Sequence, residues 1–390
     1  MMRLDRPLDV PIPRRSAGAL REPVGVLVRL PRVIPVACLL AILASPPVRA
    51  GLKGLLLVPE VIPSPVHPLS LVTPSPRRSL VHLADGEADL YRPRAIVGSG
   101  AAPGVVLIHG ANPGGKDDPR IVGLAEALAR AGRRVLVPQL SLRLQRLDVA
   151  DPSRIREAVS LLAGPTPAKV GVLAFSYGAG LTLVALADQP AVQAHVAFVA
   201  TVGTYFSLFD LLQGATTGTV PYRGTTVTWQ PDPRAHELAA EQLAAFLGPA
   251  DGAALAASLK RGDPTGLAPG PRSVYDLLAN RDPARFDVLA GRLPGGLTDR
   301  LSALSPARSI NRVTVPVLAL HARTDQAAPP TESRALIAAL EGRVATRLVI
   351  VGDLSHVTPT ASVLRDIRDA LRVADFASTA MRAQEGWPRP

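Results

Sequence analysis

Apolar positions along the chain fall into short unbroken runs separated by stretches of helical spacing. Val105-Val106-Leu107-Ile108 predicts a strand over Gly104–His109, buried on both faces. Similar runs predict strands over Arg134–Leu140, Lys169–Ala174, His195–Val202, Val315–Leu320 and Thr346–Val351. Ahead of them, Ser79–Leu83 and Glu87–Arg92 flank Asp85-Gly86, a hairpin signal suited to a sheet edge. Helical spacing recurs between the strands. Ile121, Leu124, Leu128 and Ala131 share one face of a helix over Pro119–Arg133. Asp151-Pro152 opens a helix over Asp151–Leu162 with an N-cap acid and a first-turn proline. A small-residue helix starts at Ser176, and Ala361–Phe376 has the pattern of an amphipathic closing helix. Strands alternating with helices imply an α/β fold, a mostly parallel sheet with right-handed crossovers. Ligands in such sheets sit at the carboxyl ends of strands.

One stretch breaks the alternation. Between Val202 and Val315 no strong strand run occurs, while Arg234–Leu247, Ala253–Lys260 and Ser273–Asn280 read as helices. A segment of that length is not expected to be structureless inside a domain, so residues 204–308 are read as an inserted helical cap. Thr216–Thr219 and Arg223–Thr228 are read as mobile loops over its entrance. The sheet domain is then split into 79–203 and 309–390, the second part ending in a C-terminal tail.

The first 78 residues have a different character. Arg29 and Arg32 precede an apolar run, Val33 to Ala44, of the length of a signal-peptide core, and Val48-Arg49-Ala50 offers small residues for cleavage before Gly51. A second patch, Leu55–Val58, allows residues 29–58 to act instead as a membrane anchor. Residues 1–50 are therefore assigned to a signal peptide or anchor, and the location to the cell envelope, with a cytoplasmic protein as the alternative. Pro59, Pro63, Pro65, Pro68, Pro74 and Pro76 mark 51–78 as a proline-rich linker or surface strap.

Composition alters this picture little. Of 390 residues 47% are hydrophobic, enough for a sizeable core, and the net charge is +11. That charge does not indicate nucleic acid. Its share in the head, where Arg3, Arg6, Arg14, Arg15, Arg21, Arg29, Arg32 and Arg49 face only Asp5, Asp9 and Glu22, suits a targeting flank. Aromatics are only 4%, and no basic run is interleaved with them. The single cysteine, Cys38, excludes a disulfide framework within the chain and a Cys-rich zinc site. His67, His82, His109, His195, His236, His321 and His356 lack metal-site spacing, and no GxGxxG turn occurs, so no metal or cofactor is expected.

The chemistry centres on Ala174-Phe175-Ser176-Tyr177-Gly178, at the end of the Lys169–Ala174 strand. A serine on a tight strand-to-helix turn needs small neighbours two positions away on either side, and Ala174 and Gly178 supply them. An acid, Asp325, follows the Val315–Leu320 strand, and His356 follows the Thr346–Val351 strand, in the chain order serine, acid, histidine. Asp353 and Asp210 are alternative acids. After the first buried strand, His109-Gly110-Ala111 can aim the Ala111 N–H at the same point as the Tyr177 N–H, making an oxyanion hole, with His109 and Gly110 supporting the loop. The same Gly110–Lys116 stretch read as a phosphate loop lacks the GK[ST] ending, since Asp117 follows Lys116. Tyr205, Phe206, Phe209, Tyr222 and Trp229 cluster after the fourth buried strand, where they either line a substrate pocket or pack the cap onto the core.

On the His109-Gly110 turn, the Ala174–Gly178 elbow, Asp325 and His356, the chain resembles the α/β-hydrolase superfamily, specifically its dienelactone-hydrolase-like and esterase-like serine hydrolases. The resemblance covers roughly 79–203 and 305–378. It implies Ser176 as nucleophile, His356 as base and Asp325 as its orienting acid, acting on a small-molecule ester. Dienelactone hydrolases carry cysteine at the elbow where this chain has Ser176, which favours general ester hydrolysis. A peptidase or acyltransferase on the same residues, or a non-catalytic binding protein of the same fold, is the alternative.

Overall fold

The structure, a computed structural model, describes residues 45–61, 67–94, 102–165, 169–352, 354–356, 358–359 and 367–384. The apolar run Val33–Ala44, Cys38 and Asp353 lie outside the described residues.

The strands of the main sheet are β1 (Arg77–Leu83), β2 (Gly86–Arg92), β3 (Gly104–Ile108), β4 (Arg134–Pro138), β5 (Val170–Phe175) and β6 (Val196–Val202). A short pair, β7 (Thr219–Tyr222) and β8 (Thr225–Thr228), stands apart, and β9 (Val317–Ala322) and β10 (Thr346–Val351) complete the sheet. Its order is β1-β2-β4-β3-β5-β6-β9-β10. The β1–β2 hairpin forms one edge and joins β4 antiparallel; every pairing from β4 to β10 is parallel. The chain leaves β3 for β4 on one side and returns to β5 on the other. The crevice beyond the carboxyl ends of β3 and β5 is thus the switch point at which such sheets bind ligands.

Helices cover both faces. They run α1 (Pro46–Val61), α2 (Pro68–Val72), α3 (Pro119–Arg130), α4 (Asp151–Ala163), α5 (Ser176–Ala187) and α6 (Pro190–Gln193). The segment between β6 and β9 holds α7 (Leu208–Thr217), α8 (Ala235–Leu247), α9 (Pro249–Arg261), α10 (Pro269–Leu278), α11 (Phe286–Ala290) and α12 (Gly295–Ala303); α13 (Pro330–Leu340) and α14 (Ile367–Gln384) follow. Val106, Ile108, Val172 and Ala174 bury one sheet face against α4 and α5, in a core continuous with the residues of α7 to α12. Val105, Leu107, Leu318 and Leu320 point the other way, towards α1, α3 and α14.

Three expectations need correction. Residues 51–61 and 68–72 are helical and not an extended linker, while 62–66 lie outside the described residues. Residues 51–61 belong to α1, which buries Leu57 and Val58, and Pro68 starts α2 at a position where its missing N–H costs nothing. The approach to β1 is held where Arg130 donates to the Thr73 carbonyl at 2.5 Å. Secondly, the segment after β6 is not wholly helical. β7 and β8 form a hairpin whose two turn residues, Arg223 (φ +50°) and Gly224 (φ +75°), adopt the left-handed pairing of a tight hairpin. Residues 216–219 and 223–228 therefore belong to the end of α7 and to this hairpin, not to loose entrance loops. Thirdly, the closing helix reaches Gln384, beyond the Phe376 expected, and its described part starts at Ile367 because 361–366 lie outside the described residues.

Candidate active site

Ser176, Asp325 and His356 meet beyond the carboxyl ends of β5, β9 and β10. The Ser176 Oγ lies 2.7 Å from His356 Nε2, and His356 Nδ1 lies 2.7 Å from Asp325 Oδ2. The carboxylate can only accept, so the ring carries its proton on Nδ1 and leaves Nε2 to accept from the serine hydroxyl.

The local sequence accounts for this geometry. β5 ends in extended backbone at Phe175, and Ser176 then turns to φ +51°, the strained conformation that lifts its side chain clear of the sheet. Gly178 permits the turn. A Cβ there would stand 2.2 Å from the His109 carbonyl oxygen. Gly110 also comes near on the other side, where a Cβ would sit 3.0 Å from the Ser176 Cβ. The loop after β3 thus passes directly beside the serine. His109, fully buried, fixes that loop. Its Nδ1–H donates to the Gly110 carbonyl at 2.8 Å, and its Nε2 accepts the Leu140 N–H at 3.2 Å. Burial lowers its pKa, so the ring is neutral, as these two bonds require. Ala111 and Tyr177 both border the cavity in front of Ser176, and Tyr177 lies in the first turn of α5, where the helix dipole favours negative charge.

Asp325 is almost wholly buried, which by itself opposes ionisation. Hydrogen bonds from His321 and His356 outweigh that and hold its carboxyl well below the usual carboxylate range. Its Oδ1 accepts the N–H groups of Ala327 and Ala328 at 2.8 and 3.0 Å. The role of His321 was not foreseen from the sequence. Its Nε2 faces two acceptors, the Ala328 carbonyl at 3.0 Å and Asp325 Oδ2 at 3.3 Å, so it must be protonated. Its Nδ1 then accepts from Ser333 Oγ at 2.6 Å. The available signal was its place, four residues before the acid on a strand buried throughout.

The remaining site residues divide. Trp229 borders the cavity in front of Ser176, and its Nε1 donates to the Asp325 carbonyl at 2.7 Å, linking the segment between β6 and β9 to the loop after β9. Leu208, Leu211, Leu212, Leu243 and Leu301 line the cavity beside it. Four other aromatics expected there do not line it. Tyr205 is core. Its ring occupies the space over Gly180, where a Cβ would meet it at 2.2 Å, and its hydroxyl donates to the Leu304 carbonyl. Phe206 packs on the same core, Phe209 borders a separate cavity with Asp210, and Tyr222 lies in the β7–β8 hairpin under Arg223. Asp210 follows the N-cap of α7, where Ser207 Oγ accepts its N–H; it is not among the partners of His356. The phosphate-loop reading also lapses, because Lys116 is buried among Asp89, Asp117 and Glu87. Among the described residues, no group of three or more His, Cys, Asp or Glu side chains could hold a metal ion.

Strand order, strained serine elbow and residue order together define an α/β-hydrolase fold. No family model matches the sequence, and no curated protein sequence matches it. Among solved structures the chain is similar to puromycin hydrolase, at 15% identity and a TM-score of 0.48 over 81% of this chain and 40% of that one. It is also similar to acylaminoacyl peptidase in complex with Z-Gly-Gly-Phe-chloromethyl ketone (16%, 0.44, 76% and 39%). A third likeness is to a hyperthermophilic esterase from the archaeon Pyrobaculum calidifontis (17%, 0.45, 86% and 91%). The chain thus spans about two fifths of the first two.

Proposed function

We propose that the protein is a serine hydrolase that cleaves carboxylic esters through an acyl-enzyme. The observation that carries this reading is the unbroken hydrogen-bonded series Ser176–His356–Asp325, with 2.7 Å at each link. Ser176 Oγ attacks the ester carbonyl while His356 Nε2 takes its proton. Asp325, ionised and buried, holds the ring and stabilises the imidazolium. The carbonyl oxygen, now negative, receives the N–H groups of Ala111 and Tyr177. The tetrahedral adduct collapses, the alcohol leaves with the proton from His356, and the acyl group stays on Ser176. Water, deprotonated by His356, then attacks the acyl carbon and releases the acid.

A fluorophosphonate probe is expected to label the wild-type serine and to leave Ser176→Ala unlabelled. Equal labelling of the two overturns the assignment. Esters over peptides is the finer part of the reading, and apolar side chains beside Ser176 support it. It is checked by comparing p-nitrophenyl esters with peptide anilides, and faster anilide turnover makes the protein a peptidase. We further propose that residues 1–50 direct the chain to the cell envelope as a signal peptide or anchor. Among the described residues no helix is long and apolar enough to cross a membrane. Recovery of the whole protein in the cytosolic fraction contradicts the envelope assignment.

A further inference from the structure

The cavity at Ser176 does not stop at the cap. Its volume is about 930 Å³, at the upper end of the range for small-molecule sites. From Ser176 and His356 it continues along α3 to the face of the sheet covered by α1, α3 and α14. The walls of this second arm include Leu124, Leu173, Phe175, Ala200, Phe376 and Met381. Leu173 and Phe175 belong to β5, in the middle of the sheet, yet they are only half-buried, whereas the opposite-facing Val172 and Ala174 are sealed. Small side chains make the room: Ala200 on β6, and Ala377 and Ala380 on α14. Below them the space closes, because the Phe198 ring lies where a Gly171 Cβ would be, at 2.5 Å.

Among the described residues no side chain fills this apolar space between the sheet and its helices, so its walls forfeit packing. An apolar occupant restores it. We propose that this arm seats the acyl chain of a long-chain carboxylic ester, so that the substrates are lipid-like. The inference rests on the serine-hydrolase reading above. The acyl group stays on Ser176 after the first step, and a mainly apolar arm flanked by three helices suits a group that must be held. The leaving alcohol must return to water, and the cap side of the cavity, bordered by Arg146, Asp232, Arg234 and Gln242, suits its exit.

The test varies acyl length. With p-nitrophenyl esters from butyrate to dodecanoate, kcat/KM is expected to rise by up to about fourfold per methylene buried, and at least tenfold overall. Ala377→Phe and Ala380→Phe each place a ring in the arm, so each is expected to lower the dodecanoate-to-butyrate ratio at least tenfold. Alkyl trifluoromethyl ketones of rising length, competed against fluorophosphonate labelling of the wild type, give the same answer without any substitution. They are expected to tighten with length. Wild-type labelling with a flat length series, or an unchanged ratio in both folded variants, overturns the acyl arm alone. No labelling of the wild type overturns the hydrolase chemistry, and the arm's assignment with it.

Discussion

Ser176 and Gly178 show how two positions set the site. The serine holds a backbone conformation costly for a side chain with a Cβ, and the glycine lets the turn lie against the loop after β3. Gly178→Ala drives a methyl into the His109 carbonyl, so either the loop after β3 or the turn into α5 must move. The expected cost is about 1–3 kcal/mol in stability, read as a lower urea midpoint, with a fall in kcat. A variant as stable and active as the wild type removes this account of the elbow. Asp325→Asn tests the other end of the series. The amide fits the same space but cannot hold the imidazolium, so kcat is expected to fall about 10⁴-fold while the fold persists. A loss below tenfold in ester turnover assigns the orienting role elsewhere. That Ser176, Asp325 and His356 meet at one place was legible because each follows a buried strand and its spacing carries the signal. His321 and Glu332 were not, since their meaning lies in contacts made across the fold.

Among elements, the start of α7 depends on a single carboxyl group from α13. Glu332 Oε2 accepts the N–H groups of Phe206 and Ser207 at 2.7 and 2.8 Å, joining the first residues after β6 to the main domain. Burial, with Asp210 nearby, pushes its pKa up to about 8, against the two hydrogen bonds that favour the charged form. A raised acid is protonated in the folded protein while the unfolded chain is already ionised. Its contribution is complete below the ordinary value of 4.5 and is lost as pH rises through about 8. Glu332→Gln keeps an acceptor for both N–H groups and cannot ionise. The variant is expected to match the wild type near pH 5 and to exceed it at pH 8.5 in urea midpoint; an equal difference at both values excludes the linkage. At this scale the sheet was readable, because strands covered on both faces are continuous apolar runs. The β7–β8 hairpin was not: β8, Thr225–Thr228, is exposed along its whole length and shows no apolar alternation. Its formation depends on the Arg223-Gly224 turn and the Val220 side chain, which is buried.

For the whole molecule, the length is accounted for by the sheet domain, the segment between β6 and β9, and a head whose last part folds with the domain. Proline content hid that last part, since Pro59 lies within α1 itself. The Leu55–Val58 patch, which suggested an anchor, is divided by the helix. Leu57 and Val58 face the domain, while Leu55 and Leu56 face outward. Docking depends on a close approach of α1 to α14. Ser378 Oγ donates to the Gly51 carbonyl at 3.1 Å, and a Cβ on Gly54 would lie 2.7 Å from the Ser378 backbone. Backbone atoms cannot rotate out of the way as a side-chain tip can, so Gly54→Leu must push the two helices apart. The same α1 residues, Leu57 and Val58, border the second arm of the cavity. The substitution is therefore expected to lower stability by about 1–3 kcal/mol and to speed proteolysis within α1. It should also weaken binding of the longest alkyl trifluoromethyl ketones more than that of the shortest. Proteolysis and thermal unfolding unchanged from wild type would mean that α1 is not held to α14 through Gly54.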